Sequence, residues 1–186
     1  MSKLYVISGP SGVGKDTVIK KILEDTDIKK TVSVTTRMPR VGEVDGEHYH
    51  FVLKDKFEEM IVNGEFLEYA VVHGNMYGTS LAQIEKALLY GQSLILAIDV
   101  QGGVNIKQVV KNAVLIFLSP PSMEELKKRL HNRATDNQYS ISLRLKNAEW
   151  EMGFLDRYDY HITNDTVENA VIKIKEIIEK DNETYG

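Results

Sequence analysis

The sequence predicts an α/β fold, a parallel sheet core with helices on both faces and a small mixed-sheet module set into it, on three observations. Short apolar runs recur at residues 4–7, 94–98 and 114–118. Each ends at a turn residue or an acid and precedes a stretch with helical periodicity, the pattern of parallel βαβ units. Between residues 31 and 78 that rhythm gives way to short, partially alternating segments.

In chain order, Leu4-Tyr5-Val6-Ile7 ends at Gly9-Pro10 and reads as a buried strand, too short for a helix and rich in strand-favouring side chains. A helix follows over roughly 17–24. In the interrupted region, segments 32–35, 49–52 and 66–72 surround one short helix near 56–62. Ser80 with Gln83 fits a capping box for a helix over 81–90, which stops at Gly91. The strand at 94–98 ends at Asp99 and the one at 114–118 at Pro120-Pro121, after which Ser122 with Glu125 caps a helix over 123–133. The polar stretch 134–140, between Arg133 and Arg144, has the composition of a lid. Ile141, Leu145, Ala148, Met152 and Leu155 recur at helical spacing, as do Val167, Val171, Ile174 and Ile178.

At 186 residues and 42% hydrophobic, the chain suits one globular unit. A net charge of −4 gives no basic field, which argues against a nucleic-acid coat or a membrane-surface protein and makes any anion site local. The absence of Cys removes disulfide frameworks and thiolate metal sites. No apolar run suits a membrane span or a signal peptide, so the cytoplasm is the expected location.

The stretch GPSGVGKDTV (9–18) matches GxxxxGK[ST] up to Lys15, with Asp16 where a hydroxyl is expected. It follows a strand and opens a helix, so backbone N–H groups of Gly9, Pro10's successor Ser11, Gly12, Val13 and Gly14 converge, with the positive helix end, on phosphate oxygens. Lys15 adds a point charge for the β- and γ-phosphates. A carboxylate beside a triphosphate is repelled by about 4 kcal/mol per charge pair at 4 Å and an effective dielectric of 20. Asp16 is therefore expected to face Mg²⁺ bound with the ATP phosphates, while Thr17 supplies a hydroxyl one step later.

SVTTRMPRVGEVDGEHYHF (33–51), together with the loop, resembles the guanylate kinase family. The resemblance continues through FLEYAVVHGNMYGTS (66–80), LAIDVQG (96–102), LSPPSMEELKKRL (118–130) and the paired arginines Arg133 and Arg144, in the family's order and spacing over essentially the whole chain. It implies a P-loop nucleoside monophosphate kinase: a core of about 1–30 and 80–186, a GMP-binding module of about 31–79 and a lid of about 131–144. The implied activity is phosphoryl transfer from MgATP to GMP, and to dGMP, without a covalent intermediate, in a monomer or homodimer that binds neither nucleic acid nor membrane.

Residue chemistry agrees with that implication. Arg37 and Arg40 offer forked donors to a phosphate dianion, and Tyr49 and Tyr77 add hydroxyls. Guanine presents adjacent donors at N1 and N2, which one carboxylate accepts in bidentate fashion; Glu68 is the candidate. By resemblance Ser33 and Thr79 reach the same base, and Asp99, at a strand's carboxyl end, lies near the acceptor nucleotide. Lys15, Arg133 and Arg144 are the expected catalytic cations. His48 and His50 share a strand face but lack further nearby ligands, and Trp150 is read as packing.

Three other readings compete. A non-catalytic scaffold module of the same fold would not need Gly14, Lys15 and both lid arginines. A ribose bisphosphate kinase of the same fold also carries Asp after the loop lysine, but needs no guanine clamp. Asp99-Val-Gln-Gly102 matches the DxxG of GTPases, but no NKxD accompanies it.

Overall fold

The computed structural model describes residues 2–72, 74–131 and 138–184. Its main sheet is built on β1 (Leu4–Ser8), with β7 (Leu94–Ala97) and β8 (Val114–Ser119) on either side and β2 (Lys29–Lys30) and β9 (Tyr160–Thr163) at the edges. All four pairings in the order β2-β7-β1-β8-β9 are parallel. Every residue of β1 and β8 is buried, because helices cover both faces. That double burial makes these strands unbroken apolar runs in the sequence.

Side chains of β1 alternate between two cores. Tyr5 and Ile7 pack with Val18, Ile19 and Ile22 of α1 (Lys15–Glu24) and Val171, Ile174 and Ile178 of α7 (Val167–Thr184). Leu4 and Val6 face Ile84 of α3 (Leu81–Leu89) and Ile106 of α4 (Val100–Val109). Each such aliphatic contributes roughly 1.5–3 kcal/mol by leaving water. Leu126 and Leu130 of α5 (Met123–His131) meet Ile141 and Ala148 of α6 (Gln138–Met152) in a third cluster.

A second, mixed sheet contains β3 (Val34–Thr35), β4 (His50–Phe51), β5 (Phe66–Val72) and β6 (Asn75–Ser80) in the order β4-β3-β6-β5. Only β3 and β4 run parallel. Its core comes from α2 (Lys54–Val62): Phe57 is wholly buried and stacks on Phe66 at a centroid distance of 4.5 Å. In the main sheet the chain passes from β1 out to β2, returns at β7, then crosses to β8. The order reverses beside β1, and the crevice beyond the carboxyl ends there is where such sheets take ligands.

The structure departs from the sequence-based boundaries in physical ways. Helix α1 starts at Lys15, two residues early, because Gly14 takes a left-handed conformation (φ 102°) as its N-cap. Ser80 accepts the Gln83 N–H at 3.4 Å, but the Gln83 side chain pairs with Val32, accepting its N–H at 3.1 Å and donating to its carbonyl at 3.2 Å. That residue ties α3 to the start of the second sheet instead of closing a capping box. The stripe expected to include Leu155 ends with α6 at Met152, and Leu155 begins a separate 3₁₀ turn (Leu155–Arg157).

Candidate active site

A cavity of about 230 Å³ opens at the switch point, with the glycine-rich loop on one wall and the second sheet on the other. The loop contributes Gly9, Ser11, Lys15 and Asp16. Its shape is held from outside: Asn164 donates from Nδ2 to the Val13 carbonyl at 2.7 Å, and Arg129 reaches the same oxygen at 3.4 Å. The Lys15 ammonium folds back over the loop, donating to the carbonyls of Gly9 and of Pro10. Its charge therefore stands at the loop mouth. Gly12, Val13 and Gly14 form the turn behind, and Thr17 is exposed on the first turn of α1.

The opposite wall carries Ser33, Arg37, Arg40, Tyr49, Glu68 and Tyr77. The Arg37 guanidinium donates to the Met38 carbonyl and to Glu43, each at 2.8 Å, and lies 5.4 Å from the Tyr49 ring centroid. Tyr77 sets its ring edge to Tyr49 at 5.9 Å and its hydroxyl against Arg37. Thr79 is behind the wall and donates to Glu68 Oε1 at 2.7 Å.

Glu68 is the most perturbed acid of the cavity. Burial pushes its carboxyl up to about 7, the Thr79 bond opposes that, and the nearby Asp99 charge adds to it. Its Oε2 is buried with no hydrogen-bond partner, which is what a carboxylate awaiting a second donor looks like. Oε2 lies close over α4 at Gly102, where a Cβ would come within 2.4 Å of the Ile98 side chain and 2.8 Å of Oε2, so a larger residue there would push both side chains aside. Asp99 lines the cavity while its side chain caps α4, accepting from Gln101 and Gly102 N–H at 2.9 and 3.0 Å.

Helix α6 brings Arg144 and Glu151 to the cavity. Arg133 lies outside the described residues. Glu151 was not anticipated from sequence. Burial raises its carboxyl against the pull of Lys15 and the Ser11 N–H, and its Oε2 has no hydrogen-bond partner. The signal was present, since Arg144, Ala148 and Glu151 fall on one helix face. Glu43, the partner of Arg37, was also unanticipated. His48 instead accepts the Val44 N–H at 3.1 Å, and His50 faces Gln83 at 3.4 Å.

Among the described residues no cluster of three or more His, Cys, Asp or Glu is preassembled around a metal. Asp16 nevertheless faces the cavity beside Lys15. Its charge reaches Tyr49, whose hydroxyl is pushed up to about 12 by burial and then by Asp16 and Tyr77. One exposed carboxylate that needs substrate oxygens to complete a coordination shell suits magnesium arriving with a phosphate ligand.

A protein-family profile described as guanylate kinase matches residues 1–181. The chain is 48% identical over 176 residues to a guanylate kinase of Clostridium perfringens (strain SM101 / Type A), covering 94% of this chain and 82% of that one. Against the guanylate kinase of Lactococcus lactis subsp. lactis (strain IL1403) it is 47% identical over 180 residues, covering 96% and 88%. Among solved structures, the crystal structure of guanylate kinase from Anaplasma phagocytophilum matches with a TM-score of 0.81 at 36% identity, over 97% of this chain and 86% of that one. No helix among the described residues is long and apolar enough to cross a membrane.

Proposed function

The chain belongs to the guanylate kinase family, and we infer from that premise how its residues share the work of one reaction. It is an ATP-dependent guanylate kinase, passing a phosphoryl group from ATP to GMP to give ADP and GDP. Neither a scaffold role nor a ribose bisphosphate kinase is favoured, since the curated relatives at 46–48% identity are named guanylate kinases.

On this reading the loop from Gly9 to Thr17 takes the ATP phosphates, and Arg37, Arg40, Tyr49 and Tyr77 take the GMP phosphate. Glu68 accepts N1–H and N2–H of guanine, with Ser33 and Thr79 beside it and Asp99 near the acceptor nucleotide. The GMP phosphate carries about −1.5 to −2 charge near neutral pH, because its second pKa is about 6, so the attacking oxygen needs no strong base. Positioning and charge compensation must then carry the rate. Lys15 on the loop wall, Arg144 on α6 and Arg133 from the lid compensate the equatorial oxygens of the moving group. Magnesium held by Asp16 and the nucleotide's own oxygens would neutralise charge on the β- and γ-phosphates.

The observation that carries this reading is one cavity flanked by the phosphate loop and by an arginine–tyrosine–glutamate wall. A coupled ATP-consumption assay tests it: GMP supports saturable turnover and AMP does not. Equal turnover with AMP would remove Glu68 from the role of base reader.

A further inference from the structure

We propose that Gln83 is a positioning residue for the base side of the cavity: its side-chain amide closes on both polar groups of the Val32 main chain and thereby sets where Ser33 stands. The inference rests on the reading of Ser33 as a residue that meets guanine.

The chain enters the second sheet through residues 31–33 and leaves it where β6 runs into α3 at Ser80-Leu81. As far as Thr31 the main chain is tied to the main sheet, the N–H groups of Lys29 and Thr31 donating to the carbonyls of Ser93 and Ile95 at 3.1 Å each. From Val34 it belongs to the second sheet, paired with Gly78 of β6. Val32 and Ser33 fall between and belong to neither strand. Gln83, in the first turn of α3, fills that gap: Oε1 accepts the Val32 N–H at 3.1 Å and Nε2 donates to the Val32 carbonyl at 3.2 Å. One side chain thus bonds the outgoing connection to the returning one.

These bonds fix more than a distance. The N–H and C=O of Val32 lie on successive peptide planes, and the second of those planes carries the Ser33 N–H. Holding both therefore orients the chain as it enters Ser33. The Ser33 carbonyl is held in turn, accepting the His50 N–H at 2.9 Å. Gln83 Nε2 also faces Nε2 of the His50 ring at 3.4 Å, which completes the amide's partners when that nitrogen carries no proton. Ser33 lines the cavity and Gln83 does not, so Gln83 can act on a nucleotide only through the chain it holds. A hydroxyl's hydrogen bond weakens steeply with distance and angle, and its strength depends on how firmly the backbone beneath it is placed.

The test uses the full chain with Gln83→Met, which keeps the side chain's length and loses both bonds to Val32, together with Ser33→Ala and the double variant. Gln83→Met should raise KM for GMP about three- to tenfold, and the inhibition constant of guanosine by the same factor, with kcat and KM for ATP within about twofold. In the Ser33→Ala background the same substitution should add less than about twofold, because the group it positions is gone. Should Gln83→Met not fold, Gln83→Ala repeats the cycle with the same thresholds. A fully additive loss in the double variant would overturn the inference. So would a fall in kcat alone, or a rise in GMP KM that guanosine does not share. If Ser33→Ala raises GMP KM while Gln83→Met does not, only the role of Gln83 fails. If Ser33→Ala leaves GMP KM unchanged, the reading of Ser33 fails and the inference falls with it.

Discussion

Glu68→Gln probes the energetics of the proposed base reader from both sides. Moving a carboxyl from 4.5 to about 7 means that ionising it in place costs about 3 kcal/mol. The folded chain keeps this proton up to about pH 7, whereas the unfolded chain releases it near 4.5. Between those values the folded state binds more protons, so stability falls as pH rises through the window; below 4.5 the penalty is absent and above 7 it is complete. Gln is neutral in both states and still accepts from Thr79. Thermal melts of the ligand-free protein should thus show Glu68→Gln gaining on the wild type between pH 4.5 and 8, by roughly 6–12 °C at 2–4 °C per kcal/mol for a chain of this size. The same variant should bind GMP roughly 10²- to 10⁴-fold more weakly by calorimetry, the loss of two charge-assisted hydrogen bonds at about 1.5–3 kcal/mol each. A melting-temperature difference that does not vary with pH would refute the buried-carboxyl account, whatever happens to GMP.

Lys15→Met should lower kcat by about 10²- to 10³-fold with GMP affinity within twofold, as removal of a preorganised cation does; a pure affinity loss in steady-state kinetics would take Lys15 out of the transfer step. Asp16→Ser should shift the magnesium concentration giving half-maximal turnover, and an unchanged titration would return Asp16 to the favourable electrostatics of a helix start. Phe57→Ala removes the buried ring stacked on Phe66. It should cost about 3–5 kcal/mol, seen as a lower melting temperature, and a variant melting with the wild type would mean that α2 does not anchor the second sheet.

Much of the main sheet was readable in advance because β1 and β8 are buried on both faces and leave only apolar residues to see. Its edges were not. β2 is two lysines, paired through main-chain atoms that leave no mark on side-chain pattern, and in β9 only Ile162 is buried. β6 escaped notice because Tyr77 lines the cavity, Gly78 leaves room for the Phe57 and Phe66 rings and Thr79 bonds Glu68, so none of the three adds to an apolar alternation. The site residues that sequence could propose, among them Lys15, Arg37 and Glu68, are those whose chemistry would match an atom of the proposed substrates directly. Glu43 and Glu151 act on other protein groups. Their significance lies in a turn that folds six residues back on themselves and in a helix face seen only in three dimensions.

Trp150 is the sole tryptophan of the chain, 55% exposed, packed edge-on to Phe154 at 4.7 Å and next in sequence to Glu151 on the helix that carries Arg144. The protein thus contains its own optical reporter. Any rearrangement of α6 during a catalytic cycle should appear in indole emission without a label, in stopped-flow time, on the unmodified enzyme.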